Sequence, residues 1–193
     1  MANLTSKLDA VNIMLGVIGE TPVNSLGSGS SRSANVVLAE SVLEETSKEI
    51  QSEGWHFNTE HKYLLSRGTD EKIPLPLNTL KVDTPIGEYT SVDIVQRGSS
   101  LYDRKNHSET FTEDLKVSIT FLLDFIQLPE QFRNYIAIRS ARKFAGRFLA
   151  STEIHSLIVR DEIEAKARAV DSDNEAADIT IFDNYSVYRV LDR

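Results

Sequence analysis

The histidines, glycines and carboxylates of this 193-residue chain are the residues whose types could carry out chemistry. His56 and His61 flank Glu60, but their order does not match the His-Glu-x-x-His pattern of zinc hydrolases, and no cysteine is present to supply a thiolate. The glycine-rich run at 27–33 lacks the Gly-Lys-Ser/Thr ending of a phosphate-binding loop. No Gly-x-Ser-x-Gly nucleophile elbow occurs. The sequence therefore predicts no metal site, no cofactor and no catalytic residue.

Carboxylate side chains are abundant, with 29 Asp and Glu residues, so an enzyme with paired carboxylates has to be considered. Polysaccharide hydrolysis uses two carboxyl groups that face one cleft at a defined separation, which is a three-dimensional criterion. The adjacent pairs at 70–71 and 113–114 lie in polar, loop-like runs, where a solvated charge is the default interpretation. The abundance of acids is therefore no signal of catalysis in itself.

The composition indicates a globular protein of one large or two small domains, with 40% hydrophobic and 26% charged residues. No run approaches the roughly 18 apolar residues of a membrane span, and we expect no membrane partner. The N-terminus has no apolar signal core. The net charge of −8 argues against a dedicated nucleic-acid binder, whose affinity would come from neutralised phosphates. The absence of cysteine fits assembly in a reducing cytoplasm.

Four segments have the apolar spacing of amphipathic helices, which would form the scaffold of any site. The first lies within 3–26 and ends in a Gly-Glu-Thr-Pro run, where glycine favours a helix C-terminus and proline stops continuation. The second spans 34 to about 51. The third begins at 128–130, where a proline suits the first helical turn, and the fourth opens at 151–153.

Between the second and third helices the pattern changes to short β-rich segments separated by glycine and proline. The predicted strands are 62–65, 80–82, 91–95, 101–102 and 116–121. We therefore predict an α+β protein, in which a helical bundle formed by 1–53 and 129–178 carries a small antiparallel β module inserted at 54–128. Trp55, the only tryptophan, is expected to be a structural anchor at their junction, because tryptophan buries a large apolar area.

The third and fourth helical segments differ sharply in charge. No acid occurs between Glu130 and Glu153, whereas the fourth segment is strongly acidic. A basic helix followed by an acidic one can form a complementary hairpin or meet a neighbouring subunit. The candidate subunit interface consists of Arg139, Arg142, Lys143, Arg147, Asp161, Glu162 and Glu164. Two solvated faces are the simple alternative, because exposed ion pairs contribute little.

The final stretch, 179–193, alternates polar and apolar residues and is too apolar for a typical disordered tail. Tyrosine is favoured where one end of a side chain is buried and the other is wet. We therefore predict a C-terminal docking segment for a partner. Its candidate docking residues are Phe182, Tyr185, Tyr188, Val190 and Leu191. Packing against the chain's own bundle is the alternative.

Several short runs, in their order and spacing, resemble one viral protein family. They are Ala10-Val11-Asn12 with Gly19-Glu20-Thr21-Pro22-Val23, Gly54-Trp55-His56-Phe57-Asn58, Arg97-Gly98 followed by Tyr102-Asp103-Arg104, Leu128-Pro129-Glu130, and Phe144 with Arg147-Phe148. The family they resemble is tail tubular protein A, the head-to-tail adaptor or gatekeeper of T7-like short-tailed bacteriophages. The resemblance extends from Ala10 to Phe148 and is poor in the final stretch.

This resemblance implies a structural adaptor rather than an enzyme. The chain would form a closed ring, dodecameric in the family, between the portal protein and the tubular nozzle, tail tubular protein B. The ring would complete the DNA ejection channel, through which double-stranded DNA passes without sequence-specific binding. The negative net charge suits a wall that repels phosphates. The protein would belong to the virion tail and would assemble in the host cytoplasm.

Two alternatives belong to other functional classes. The first is a tail-associated hydrolase of polysaccharide or cell wall, which requires two carboxyl groups facing one cleft. The second is an isolated binding module that stays monomeric and forms no ring.

Overall fold

The computed structural model describes residues 4–27, 32–85, 89, 91–148 and 152–177, without the side chains of 152–157. Four α-helices and five β-strands occur in these residues. The helices are α1 (Lys7–Val17), α2 (Ala34–Gln51), α3 (Glu130–Phe148) and α4 (Thr152–Ala176); the strands are β1 (Thr59–Leu65), β2 (Thr79–Asp83), β3 (Ile94–Arg97), β4 (Ser100–Asp103) and β5 (Leu115–Phe121). The predicted α+β class with small antiparallel sheets is confirmed.

The chain divides into two compact units, which are described separately. The first comprises 1–46 and 128–193. The second is the continuous stretch 47–127, which contains all five strands named above and which we call the β unit. The second unit therefore begins within the last part of α2, whereas the sequence interpretation began the β module at 54. The domain division into a helical bundle of 1–53 and 129–178 and a β module of 54–128 stays a prediction.

Helix α1 is delimited by local signals at both ends. Ser6 Oγ accepts a hydrogen bond from the backbone N–H of Asp9, and the Asp9 carboxylate accepts one from the backbone N–H of Ser6, which forms a capping box. At the other end, the N–H of Glu20 donates to the carbonyl of Leu15 at 3.0 Å. This closure requires the left-handed conformation of Gly19, whose φ is 80°.

Helix α3 is the central helix of the first unit and packs against α1 and α4. Its large side chains Phe132, Tyr135, Ile136 and Phe144 are fully or almost fully buried. The chain before α1 is held to the start of α3, because Thr5 donates to the Glu130 carboxylate through its backbone N–H at 3.0 Å and its hydroxyl at 2.5 Å. These contacts give α3 a fixed position between α1 and α4.

The second unit contains a three-stranded sheet of order β1-β5-β2 and a β3–β4 hairpin, both antiparallel. Leu115, Val117 and Ile119 alternate along β5 and are buried in the core of this unit. Strand β1 begins at 59 rather than 62 and is interrupted by a register shift at Lys62, whose φ is 59°. Such a bulge on an edge strand discourages further pairing.

The β3–β4 hairpin lies further along the chain than expected. The sequence interpretation placed a strand at 91–95, whereas β3 runs from Ile94 to Arg97. Arg97 pairs with Ser100, so the connection is the two-residue loop Gly98-Ser99. Gly98 has a φ of 64°, the positive value that two-residue hairpin turns require at the first loop position. The turn, rather than the apolar run before it, fixes the register.

Candidate assembly surfaces

Glu162 of α4 is the acid around which two arginines of α3 gather. Its side chain is only 13% exposed. Arg142 donates from Nε to one Glu162 carboxylate oxygen and from Nη2 to the other. Arg139 Nη1 lies 3.7 Å from the same carboxylate and donates to the Tyr135 hydroxyl at 2.8 Å. The structure thus brings Arg139, Arg142 and Glu162 together within one chain, where they join α3 to α4.

The other residues of the predicted interface differ in exposure and partners. Arg147 Nη2 is 3.3 Å from a carboxylate oxygen of Glu45 on α2, and both side chains are about half exposed. Lys143 is partly buried, whereas Asp161 and Glu164 are exposed on α4. A place at a subunit interface stays a prediction for all seven residues. Partners within their own chain are present for Arg139, Arg142, Arg147, Glu162 and Glu164.

Trp55 lies at the start of the β unit and is partly buried. Its indole N–H donates to the Ile50 carbonyl at 2.7 Å. Asn58, which is 2% exposed, accepts from the Trp55 backbone N–H at 2.9 Å and donates to the carbonyls of Gln51 and Phe121 at 3.0 and 2.9 Å. The quoted Gly-Trp-x-Phe-Asn run therefore ends in a buried amide that ties the end of α2 to β5. The anchoring role of Trp55 stays a prediction.

Gln51 is a second buried amide that the sequence interpretation missed. Its side chain is fully buried and pairs with the backbone of Leu123, donating to the carbonyl at 3.1 Å and accepting from the N–H at 2.8 Å. This pairing explains why the end of α2 belongs to the second unit. The sequence feature that could have indicated this burial is the position of Gln51 directly after Ile50, on the apolar side of α2.

Asn12 has the same function in the first unit. Its side-chain amide donates to the Val23 carbonyl at 3.0 Å and accepts from the Val23 N–H at 2.8 Å. The bonds hold the chain after Gly19 and Pro22 against α1. Two runs that carried the resemblance, Ala10-Val11-Asn12 and the one ending in Val23, are thus joined by a physical contact.

Asp103, at the end of β4, organises the loop that follows. It is 4% exposed, and its carboxylate accepts from the backbone N–H groups of Asp93, Lys105 and Asn106 and from the Asn106 side chain. Burial acts to raise the pKa of Asp103, but these hydrogen bonds outweigh it and hold the pKa below its ordinary value. The carboxylate is therefore a structural acceptor that stays ionised.

Two clefts in the described part of the β unit each contain two acids, which lack the surroundings of a general acid. A cleft of about 270 Å³ includes Glu53 and Asp83, and one of about 290 Å³ includes Asp103 and Glu113. Asp103 is saturated with donors, and the other three acids are exposed to solvent. A general acid instead needs a carboxyl group in buried, apolar surroundings.

Three other predicted properties concern metal binding, membrane spans and the C-terminal docking segment. Within the described ranges, no group of three His, Asp or Glu side chains could hold a metal ion. No helix in the same ranges is long and apolar enough to cross a membrane. The predicted docking segment, 179–193, with Phe182, Tyr185, Tyr188, Val190 and Leu191, lies outside the described residues.

Comparison with known proteins agrees with the motifs. The family model described as tail tubular protein matches residues 8–179, a range that includes α1 without its first residue, α2 to α4 and all five strands. The chain is also similar to tail tubular protein A of Klebsiella phage KP34, with 30% identity over 131 residues, which cover 68% of this chain and 67% of that protein. These matches confirm the resemblance stated from the motifs. The chain therefore belongs to the tail tubular protein family and is a structural component of a phage tail.

Proposed function

We propose that this chain is the head-to-tail adaptor, or gatekeeper, of a short phage tail. Copies of the chain form a closed, dodecameric ring that binds the portal protein on one side and the nozzle, tail tubular protein B, on the other. The ring completes the channel through which double-stranded DNA leaves the capsid. The observation that carries this proposal is the extent of the family match, which includes both compact units rather than a single module.

The charge of the chain supports a channel component that does not retain DNA. The net charge of −8 leaves little capacity for neutralising phosphates along a duplex. A wall of negative net charge repels the phosphate backbone and lets the genome slide without sequence-specific binding. This role needs no cofactor and no membrane partner, and the ring belongs to the virion tail after assembly in the host cytoplasm.

We also infer that the adaptor acts without catalysis. The two clefts described above contain acids that are either exposed or saturated with hydrogen-bond donors. Replacing His56, His61, His107 and His155 together by alanine is expected to leave tail assembly intact, because none of them is required as a ligand or base. Loss of assembly in a folded quadruple variant would count against this inference.

The proposal is tested by reconstituting the head-to-tail order from purified proteins. Portal, this chain and the nozzle protein of the same phage are mixed in all pairs and as a trio, and complexes are separated by size and weighed by native mass spectrometry. We expect this chain to bind the portal in multiple copies, and the nozzle to bind the portal only when this chain is present. Direct binding of nozzle to portal, or binding of a single copy of this chain, would overturn the proposal.

A further inference from the structure

A rigid turn in the β unit presents a leucine entirely to solvent. Leu77 is 102% exposed, the highest value among the large apolar residues described. The N–H of Thr79 donates to the Pro76 carbonyl at 3.1 Å, which closes the turn around Leu77. Asn78 and Leu122 exchange two further hydrogen bonds, at 2.7 and 3.1 Å. A side chain on so constrained a backbone loses little conformational freedom when a partner covers it.

An arginine stacked on a tyrosine lies at the same end of the unit. The Arg97 guanidinium is 3.5 Å from the centre of the Tyr102 ring, on the β3–β4 hairpin. The N–H of Leu75 donates to the carbonyl of Ser99 at 2.8 Å and joins the two segments. Leu77 follows Leu75 by two residues, and Arg97 precedes Ser99 by two. We call Leu77, Arg97 and Tyr102 the hairpin-end surface. Arginine and tyrosine beside an exposed apolar residue are typical of energetically important interface positions.

The stacked guanidinium is held in place by its aromatic neighbour rather than by an acid. In the described part of the chain, no hydrogen bond or ion pair joins the Arg97 side chain to another residue. Glu109 experiences the Arg97 charge, but its carboxylate is bonded to Lys72 at 2.5 Å. The planar fork of N–H donors on Arg97 is thus open toward solvent and suits a carboxylate or phosphate.

Helix α4 presents a face with the complementary chemistry. Ile163 is 65% exposed, and Ala167, one turn further along, is also exposed. The acids Glu164 and Asp171 are exposed beside these two residues on the same side of the helix, as is Arg160, whose Nε lies 3.7 Å from the Glu164 carboxylate. We call Ile163, Glu164, Ala167 and Asp171 the α4 outer face. It combines a small apolar patch with carboxylates, as a surface that contacts Leu77 and Arg97 would need to do.

We propose that the hairpin-end surface of one copy docks on the α4 outer face of a second copy, with Leu77 against Ile163 and Arg97 on the neighbouring carboxylates. The inference rests on the proposed ring, because a ring requires a head-to-tail contact between two different surfaces. The occupant is another copy rather than DNA, because a fully exposed leucine gains nothing from phosphates and the net charge of −8 opposes a duplex. The α4 outer face supplies both the apolar contact for Leu77 and the carboxylates for Arg97.

Engineered cysteines test the contact directly, because the chain contains no native cysteine. Leu77→Cys and Ile163→Cys chains are prepared separately, mixed at high concentration and oxidised gently. We expect a disulfide-linked dimer that contains one chain of each kind, and a ladder of covalent oligomers from the chain with both substitutions. Leu64→Cys, at a residue that is 55% exposed on β1, replaces Leu77→Cys as the matched control and should give no dimer with Ile163→Cys. Equal cross-linking from both positions would overturn the proposal.

A charge exchange tests the polar half. Arg97→Glu is expected to weaken self-association by about tenfold, the loss of one well-formed charge pair, as measured by sedimentation velocity. Asp171→Arg in the same chain should restore part of it. Arg104→Glu is the control, because Arg104 is exposed on the adjacent loop and has an acid, Asp93, at 3.7 Å. An effect of Arg104→Glu as large as that of Arg97→Glu, without rescue by Asp171→Arg, would contradict the proposal.

Portal binding separates this inference from the proposed function. Multiple copies that bind the portal without a 77–163 cross-link would overturn the docking contact and leave the adaptor role supported. Specific cross-links in a protein that does not bind the portal would support the contact and overturn the adaptor role. Absence of both would overturn both proposals. A cross-linked ring on the portal is the result expected from the two together.

Discussion

Replacing Glu162 by glutamine is the sharpest perturbation of the α3–α4 cluster. The substitution keeps the size of the side chain and removes its charge, so that Arg139 and Arg142 lose their shared carboxylate. A hydrogen bond to a charged group contributes about 1.5–3 kcal/mol, and breaking a fully buried pair costs about 3–5 kcal/mol. Because the two arginine side chains are 19% and 28% exposed, water replaces part of the loss. We expect Glu162→Gln to lower the free energy of unfolding by about 1.5–3 kcal/mol.

The same helix provides a matched control two residues away. Glu164 is 56% exposed and lies 3.7 Å from Arg160, one turn before it and 81% exposed. Exposed pairs one helical turn apart contribute about 0.3–0.5 kcal/mol, so Glu164→Gln should change stability by no more than about 0.5 kcal/mol. Both variants are compared by urea unfolding followed by far-ultraviolet circular dichroism, which reports the helices.

The comparison is made at low and high salt. Partly buried pairs are screened less than exposed ones, so the cost of Glu162→Gln should persist at 1 M NaCl, where the Debye length is about 3 Å. A cost no larger than that of Glu164→Gln would refute the assignment of Glu162 as the acid that joins α3 to α4. A cost seen only when rings form would place the cluster between subunits instead.

Three further predictions concern the β unit and the C-terminus. Asp103→Asn should lower the free energy of unfolding by about 1.5–3 kcal/mol at neutral pH. Because folding lowers the pKa of Asp103, this difference from the parent protein should be fully present above the unfolded pKa near 4 and should shrink as the pH falls through the lower folded pKa. Urea titrations of both proteins at several pH values measure it. Trp55→Ala should cost about 2–4 kcal/mol, because it removes a partly buried indole and its hydrogen bond to the Ile50 carbonyl, and Trp55→Phe should cost about 1 kcal/mol. A smaller loss for alanine than for phenylalanine would contradict the anchor role. Deleting residues 180–193 should abolish portal capture without changing the melting temperature; a lower melting temperature with binding retained would assign the segment to the protein's own core.

The helices followed from the sequence because their signals are local. In the predicted stripe of α1, Val11, Met14 and Leu15 are fully buried and Leu8 and Ile18 are partly buried, and the end at Gly19 is fixed by the chain's own backbone bonds. Such features depend on residues within one or two turns, so sequence alone contains the information needed to place them. The α+β class could be predicted for the same reason.

The pairing of distant segments could not be read from the same patterns. The contact of Gln51 with Leu123 joins residues 72 apart, and the β1–β5 pairing is equally remote in sequence. An amide side chain is compatible with water or with a buried backbone partner, and only the fold decides between them. The charge pattern also could not identify which of the several acids on α4 pairs with Arg142. Glu162 forms this pair because of its position around the helix and its burial.

The resemblance to phage adaptors rested on short runs that the structure now connects physically. Asn12 holds Val23, Asn58 holds the end of α2 to β5, and Asp103 holds the loop after β4. Each is a polar residue with backbone partners, so its replacement would leave polar groups of the fold unsatisfied. Asn12, Asn58 and Asp103 are thus understood as structural, whereas Arg97 and Tyr102 of the same runs belong to the proposed hairpin-end surface.

The central claim is that copies of this chain form a ring that continues the portal channel, and electron cryomicroscopy of the portal mixed with this protein tests it most directly. We expect a closed ring of copies on the portal axis, with the hairpin-end surface of each copy on the α4 outer face of its neighbour and an open central channel. Copies bound singly at the portal periphery, a blocked axis, or no bound protein at all would contradict it.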